Sequence, residues 1–209
     1  MTAMPQKTGE SGAGFAPTLL LLRWARRLFF CAGLVLLAYC AFVLIDARWF
    51  QEQENRLLEI RLRNPPPADG IPVAATAGGL IGRIEIPRLG VSEIVVEGAD
   101  ARVLRRAAGH VPGTALPGQA GNTAITGHRD TFFRPLRKIR RDDLIRITTL
   151  QGEFLYRVVA TGIVDPGDVG VLDSDDSEVL TLITCYPFYF VGAAPQRFIV
   201  RAERLTDQT

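Results

Sequence analysis

Histidine and cysteine are scarce in this chain of 209 residues, which holds two of the first and three of the second. So few cysteines exclude a disulfide-stapled scaffold. Net charge is nearly absent as well, at +2 from 24 Lys and Arg against 22 Asp and Glu. No dense Lys/Arg stripe runs through the C-terminal part, so a nucleic-acid binder held by a basic face is excluded. Internal repeats and low-complexity blocks are missing. The length then allows one ordinary domain plus an appendage.

Apolar residues are abundant, at 47% of the chain, and the excess lies near the N-terminus. Leu28 to Ile45 reads LFFCAGLVLLAYCAFVLI, without a charge. As a helix it spans about 27 Å, close to the hydrocarbon thickness of a bilayer. Trp24, Tyr39 and Trp49 lie in or near it, and such aromatics favour the headgroup level. A buried core helix of this length usually shows a polar face, and this one does not. No small-x-small cleavage site follows, since Asp46-Ala47-Arg48-Trp49 does not fit one. The run reads as an uncleaved signal anchor. Arg23, Arg26 and Arg27 sit tightest against it, which favours a cytoplasmic N-terminus and an external C-terminal domain.

The cysteines agree. Cys31 and Cys40 fall inside the span, about 13.5 Å of helical rise apart and too far for a disulfide. Cys185 is then the sole thiol of the external part. An unpaired thiol in an exported domain calls for a reason, and catalysis is the first to test.

Beyond the span, Asp46 to Arg63 is charged and helix-prone, and reads as a stalk. Asn64-Pro65-Pro66-Pro67 ends it, because proline cannot continue a helix. Residues 64–79 are a Pro/Ala/Gly linker. From Leu80 the pattern is one of short strands: Gly82–Pro87, Val91–Glu97, Thr123–Thr126, Leu144–Thr149, Phe154–Val164, Val179–Thr184 and Phe198–Ala202. Asp100 to Ala108 reads as a helix, with Asp100 as N-cap and Gly109 as its stop. A Gly/Pro-rich loop runs from His110 to Gly121, and Thr131 to Ile139 forms a turn or short helix. Short strands and frequent turns indicate a small closed β-barrel.

Cys185 ends the apolar strand Thr181-Leu182-Ile183-Thr184, and Pro187 then forces the chain away. Alone, such a cysteine is more often a buried small hydrophobe than a nucleophile. His128 also stands at a strand end, after Gly127. A nearby imidazole stabilises a thiolate and later protonates a leaving amine. A free thiol titrates at about 8.5 and imidazole at about 6.5, so an unperturbed pair is mostly neutral at pH 7. His110, in its loop, reads as structural. Arg197 follows Cys185 by twelve residues and opens the last strand. A guanidinium there suits a carbonyl or a developing oxyanion, though by itself it is an ordinary rim charge. The acidic run Asp173–Glu178 lacks the spacing of a calcium loop and reads as solvated. Arg137 to Arg146 reads as a solvated basic face, which anionic headgroups are able to use.

Thr181–Cys185 followed by Arg197 resembles the active-site signature of sortases. Ile125-Thr126-Gly127-His128-Arg129-Asp130 resembles their histidine segment. The resemblance runs from about Leu80 to Ala202. Gly109-His110-Val111-Pro112-Gly113-Thr114 and Cys185-Tyr186-Pro187-Phe188-Tyr189-Phe190 are most similar to class D members.

That resemblance implies a mainly β, eight-stranded closed barrel behind one transmembrane helix. It implies a thiol-protease-like transpeptidase without metal or organic cofactor. Cys185 attacks an LPxTG-like sorting signal on an exported protein and forms a thioester, His128 serves as acid and then base, and Arg197 steadies substrate and oxyanion. The amide of Tyr186 is a candidate second donor and Thr184 a candidate substrate contact. The acceptor is an amine on a cell-wall precursor or another protein subunit. The chain then divides into a cytoplasmic tail at 1–22, a transmembrane anchor at 23–47, a stalk and linker at 48–79, the catalytic barrel at 80–204 and a tail at 205–209. Rival readings are a cysteine peptidase, in which water resolves the same thioester, and an anchored binding barrel without catalysis. The peptidoglycan-crosslinking type of cysteine transpeptidase requires a different Gly-Cys surround, which is absent.

Overall fold

The structure is a computed structural model that describes residues 15–64, 78–173, 177–189 and 192–205. Part of the N-terminal tail (1–14), most of the linker (65–77), the middle of the acidic run (174–176), Phe190 and Val191 in the segment after Cys185, and the last residues (206–209) lie outside the described residues. The chain divides into two compact units, one ending at Ile45 and one starting at Asp46.

A single helix, α1, runs from Phe15 to Arg63 and so passes through both units. In the first unit its apolar side chains, Leu28, Phe29 and Leu37 among them, point outward and not into a protein core. By length and composition α1 is able to cross a membrane. The end of α1 lies where proline was expected to stop it.

The second unit is a closed barrel of eight strands. They are β1 (Leu80–Ile86), β2 (Val91–Glu97), β3 (Ala108–His110), β4 (Gly121–Thr126), β5 (Leu144–Thr149), β6 (Gly152–Val164), β7 (Glu178–Tyr186) and β8 (Gln196–Arg204). Around the barrel the order is β1-β2-β3-β4-β7-β8-β6-β5, and β1 pairs with both β2 and β5 to close it. Alternation drives the closure. In β1, Ile84 and Ile86 are fully buried, while Arg83 and Glu85 between them are not. Ile147, Tyr156, Leu180, Leu182 and Val200 join them in one core. Closing the sheet on itself leaves no unpaired edge.

Two strand pairs are parallel, β2 with β3 and β4 with β7. Parallel neighbours end at the same rim of a barrel, and an antiparallel neighbour begins there. β4 and β7 therefore finish together, and β8 starts beside them.

A short helix, α2 (Ala101–Leu104), follows β2. Asp100 caps it as expected, its Oδ1 accepting from the amides of Arg102 (2.7 Å) and Val103 (3.1 Å). The helix ends at Leu104, four residues sooner than expected: 105–107 turn away from it, and Ala108 belongs to β3 with Gly109 and His110. Within the second unit, the Asp46–Arg63 part of α1 packs on the outer face of β2. Leu58, fully buried, meets Ile94, Val96 and Ala107 there.

Candidate active site

Cys185 stands one residue before the end of β7, and its direct partner across the antiparallel β7–β8 ladder is Arg197. Directly paired residues in such a ladder have Cα atoms about 4.5–5.5 Å apart. On the other side of β7, Thr126 pairs with Ile183 in parallel register, and the amide of Gly127 continues the ladder to Ile183 O at 3.1 Å. His128 is the next residue. The cysteine, histidine and arginine thus leave three adjacent strands, β7, β4 and β8, at one rim.

Two local features hold the histidine segment. Gly127 faces the ring of buried Phe133, where a Cβ would meet ring carbons at 2.8 and 3.0 Å, so no larger residue fits without displacing the ring. The amide of Phe133 in turn donates to the His128 carbonyl at 3.1 Å. The Thr184 hydroxyl donates to Gly127 O at 2.7 Å. Thr184 is 1% exposed, so its side chain binds the backbone that leads into His128. Tyr186, by contrast, is partly exposed, and it belongs to an aromatic wall. Its ring stacks on Phe198 with centroids 6.4 Å apart, while Phe188 sits edge-on to Tyr186 at 6.0 Å and to Phe198 at 5.3 Å. Phe188 and Phe198 also pack on the barrel core, so this cluster lies on the core side of the β7–β8 ladder, while Cys185 and Arg197 share the opposite face.

Cys185 is a free cysteine and partly accessible, as a nucleophile has to be. Arg197 Nη1 donates to Gln196 O (3.0 Å) and Ala194 O (3.3 Å), which orients its guanidinium along the start of β8. His110 is structural, as expected. It is 2% exposed, with Nδ1 2.6 Å from Glu97 Oε2 and Nε2 3.0 Å from both Ala115 O and Thr114 Oγ1.

One residue carries no mark of its role in the sequence. Arg129 is 6% exposed, and its guanidinium donates to the carbonyls of Pro187 and Gly192, both at 3.0 Å. An arginine in a polar loop gives no sequence signal of burial, since arginines mostly lie in water. The one clue is its place directly after His128.

Comparison with known proteins agrees with this architecture. A family model described as the sortase domain matches residues 84–205. The chain is 34% identical over 187 residues to Sortase D of Bacillus subtilis, covering 84% of this chain and 94% of that protein. It is 31% identical to Sortase A of Listeria monocytogenes over 51% of this chain and 49% of the other. Among solved structures, a Clostridium perfringens Sortase D5 transpeptidase superposes with a TM-score of 0.62 at 28% identity, covering 77% of this chain and 99% of the other. The lid mutant of Sortase A from Corynebacterium diphtheriae gives 0.58 at 28% identity, over 81% and 95%. With this barrel and these matches, the chain belongs to the sortase family.

Proposed function

We propose that the chain is a membrane-anchored cysteine transpeptidase in which Cys185 is the nucleophile, His128 the acid–base partner and Arg197 the oxyanion and substrate group. The thiolate of Cys185 attacks the carbonyl carbon of a Thr–Gly-type bond in an LPxTG-like sorting signal. The oxygen takes up the electron pair and negative charge beside the Arg197 guanidinium. The C–N bond then breaks, and His128 gives its proton to the departing amine, leaving a thioester on Cys185. An incoming amine attacks that thioester and loses its proton to His128. The C–S bond breaks and the thiolate returns. The amide of Tyr186 is a second donor to the oxyanion. Thr184, 1% exposed with its hydroxyl on the Gly127 carbonyl, steadies the backbone that leads into His128 and is not the substrate contact expected of it. The helix through Leu28–Ile45 crosses the cell membrane once, with the N-terminus cytoplasmic and the barrel outside. Exported proteins with a sorting signal are the donors, and an amine on a cell-wall precursor or a protein subunit is the acceptor.

The observation that carries this reading is the direct pairing of Cys185 with Arg197 at the rim where β4 hands over to His128. Intact mass spectrometry with a sorting-signal peptide tests it. The wild type is expected to gain an acyl adduct on Cys185, and Cys185→Ala to gain none. His128→Ala is expected to slow acylation by about 100-fold or more. Equal behaviour of wild type and Cys185→Ala removes Cys185 from the mechanism. Addition of an amine separates transfer from hydrolysis: a ligated product is expected, and cleavage indifferent to amine identifies a peptidase.

A further inference from the structure

Arg129 carries an inference beyond the catalytic trio. It directly follows His128, yet its side chain reaches the segment that directly follows Cys185. Nη1 donates to Pro187 O and Nη2 to Gly192 O, each at 3.0 Å. The two accepting carbonyls stand well apart in the connection between β7 and β8. A guanidinium is a rigid planar fork with a permanent charge, so holding two separate carbonyls on its two terminal nitrogens fixes their spacing. A buried cation needs acceptors of this kind, because its desolvation is otherwise uncompensated. The neighbouring carboxylate of Asp130, at 3.5 Å, is 72% exposed and adds little.

We propose that Arg129 is a positioning residue. It ties the loop leaving the nucleophile to the backbone that carries the acid–base histidine, so that Cys185 and His128 move as one unit. The tie complements the bond from Thr184, before the nucleophile, to Gly127, before the histidine. Together they bridge β4 and β7 on both sides of the reacting pair. The same tie sets the aromatic wall, because Phe188 lies between Pro187 and Gly192 and packs on Phe198. This inference rests on the transpeptidase reading for its consequence on rate, but not for the tie itself.

The test uses the full chain in detergent, as wild type, Arg129→Lys, Arg129→Gln and His128→Ala. Lysine keeps the charge and loses the fork, which guards against a variant that merely fails to fold. Three quantities are read: amide hydrogen exchange over 186–195, the pH profile of Cys185 alkylation by iodoacetamide, and the kcat and KM of acylation by a sorting-signal peptide. In both Arg129 variants, exchange over 186–195 is expected to quicken. The alkylation profile is expected to move toward that of His128→Ala. Acylation is expected to slow about 10- to 100-fold, mostly in kcat. Wild-type exchange and a wild-type alkylation profile in Arg129→Lys overturn the proposal, even if its melting temperature or its acylation rate falls. If the wild type itself is never acylated, the transpeptidase reading fails, while exchange and alkylation still decide whether Arg129 holds the two segments together.

Discussion

Glu93 stands on the core-facing side of β2, between Val91 and Val95, both of which belong to the barrel core. Its partner across the ladder is Ile84, which is fully buried. Burial in these surroundings disfavours the carboxylate and pushes its pKa from 4.5 up to about 7. The consequence for stability has a definite sign. Below about 4.5 the carboxyl is protonated in both folded and unfolded chains, and its full contribution is present. Between there and about 7 the unfolded chain releases a proton that the folded one keeps, so stability declines as pH rises and levels off above 7. Glu93→Gln removes the effect. It is expected to leave stability at pH 4 unchanged and to raise it at pH 8 by about 1–2 kcal/mol, allowing for the partial solvent exposure of the carboxyl. Urea unfolding at the two pH values checks this, and an equal gain at both rules out the titration as its cause. Residues of this kind were not legible in the sequence, because the burial of one carboxyl depends on which strand lies opposite. The strand-end positions of Cys185, His128 and Arg197 were legible for the opposite reason. Each terminates or opens an apolar strand with a proline or glycine close by, and local chemistry marks such ends. Arg129 carried no such mark, and Thr184 was marked only as a substrate contact, since each bonds a partner more than fifty residues away.

At the scale of elements, the barrel closes where β1 meets β5, and Gly82 lies at that seam. Its Cα partner is Thr149, and a Cβ on Gly82 would come within 2.2 Å of the Thr148 carbonyl oxygen. Backbone does not yield as a flexible side chain does, so the strands would have to part. Gly82→Ala is expected to cost about 1–3 kcal/mol. Thermal unfolding measures it, and a variant as stable as the wild type means the seam is looser than this contact allows. Strands with strong alternation were readable in advance. β2 and β5 fall where β-branched runs predict them, and β7 and β8 extend their predicted cores by a residue or two. β3 was not readable. Ala108-Gly109-His110 has no β-branched residue and only three positions, and read alone it continues a helix or opens a loop. It becomes a strand because β2 and β4 supply partners on both sides, Val95–Glu97 on one and Ile125–Thr126 on the other. Pairing chosen by tertiary context overrides so weak a local preference.

On the scale of the whole molecule, the part that folds with the barrel is larger than the barrel. Sequence marks Asp46–Arg63 as a charged helical stalk, because its apolar residues, among them Trp49, Phe50, Leu57, Leu58, Ile60 and Leu62, are spread round the helix and announce no single packing face. In the second unit that helix covers the outer face of β2. Leu58 is fully buried against Ile94, Val96 and Ala107, with Phe50 and Leu80 at the margin. Polar contacts fix the same face. Gln51 Oε1 accepts from the Ile94 amide at 2.7 Å, and Gln51 Nε2 donates to Arg106 O at 2.8 Å. The Ile94 amide lies beyond the short reach of β3, which pairs with β2 only from Val95 to Glu97. The helix thus supplies the partner that the neighbouring strand is too short to provide. A free tether would make no contribution to barrel stability, so the two cases give different numbers. Leu58→Ala in the full chain is expected to lower unfolding free energy by about 2–4 kcal/mol, the cost of emptying a well-packed leucine site. Acylation at Cys185, measured well below the melting temperature, is expected to stay near the wild-type rate, because β2 does not border β4, β7 or β8. Denaturant unfolding followed by circular dichroism in the β-sheet region reads the loss. Unchanged stability would mean that the helix rides on the barrel without holding it. A loss of both stability and acylation would mean that strain from the β2 face travels through β3 to the strand that carries His128.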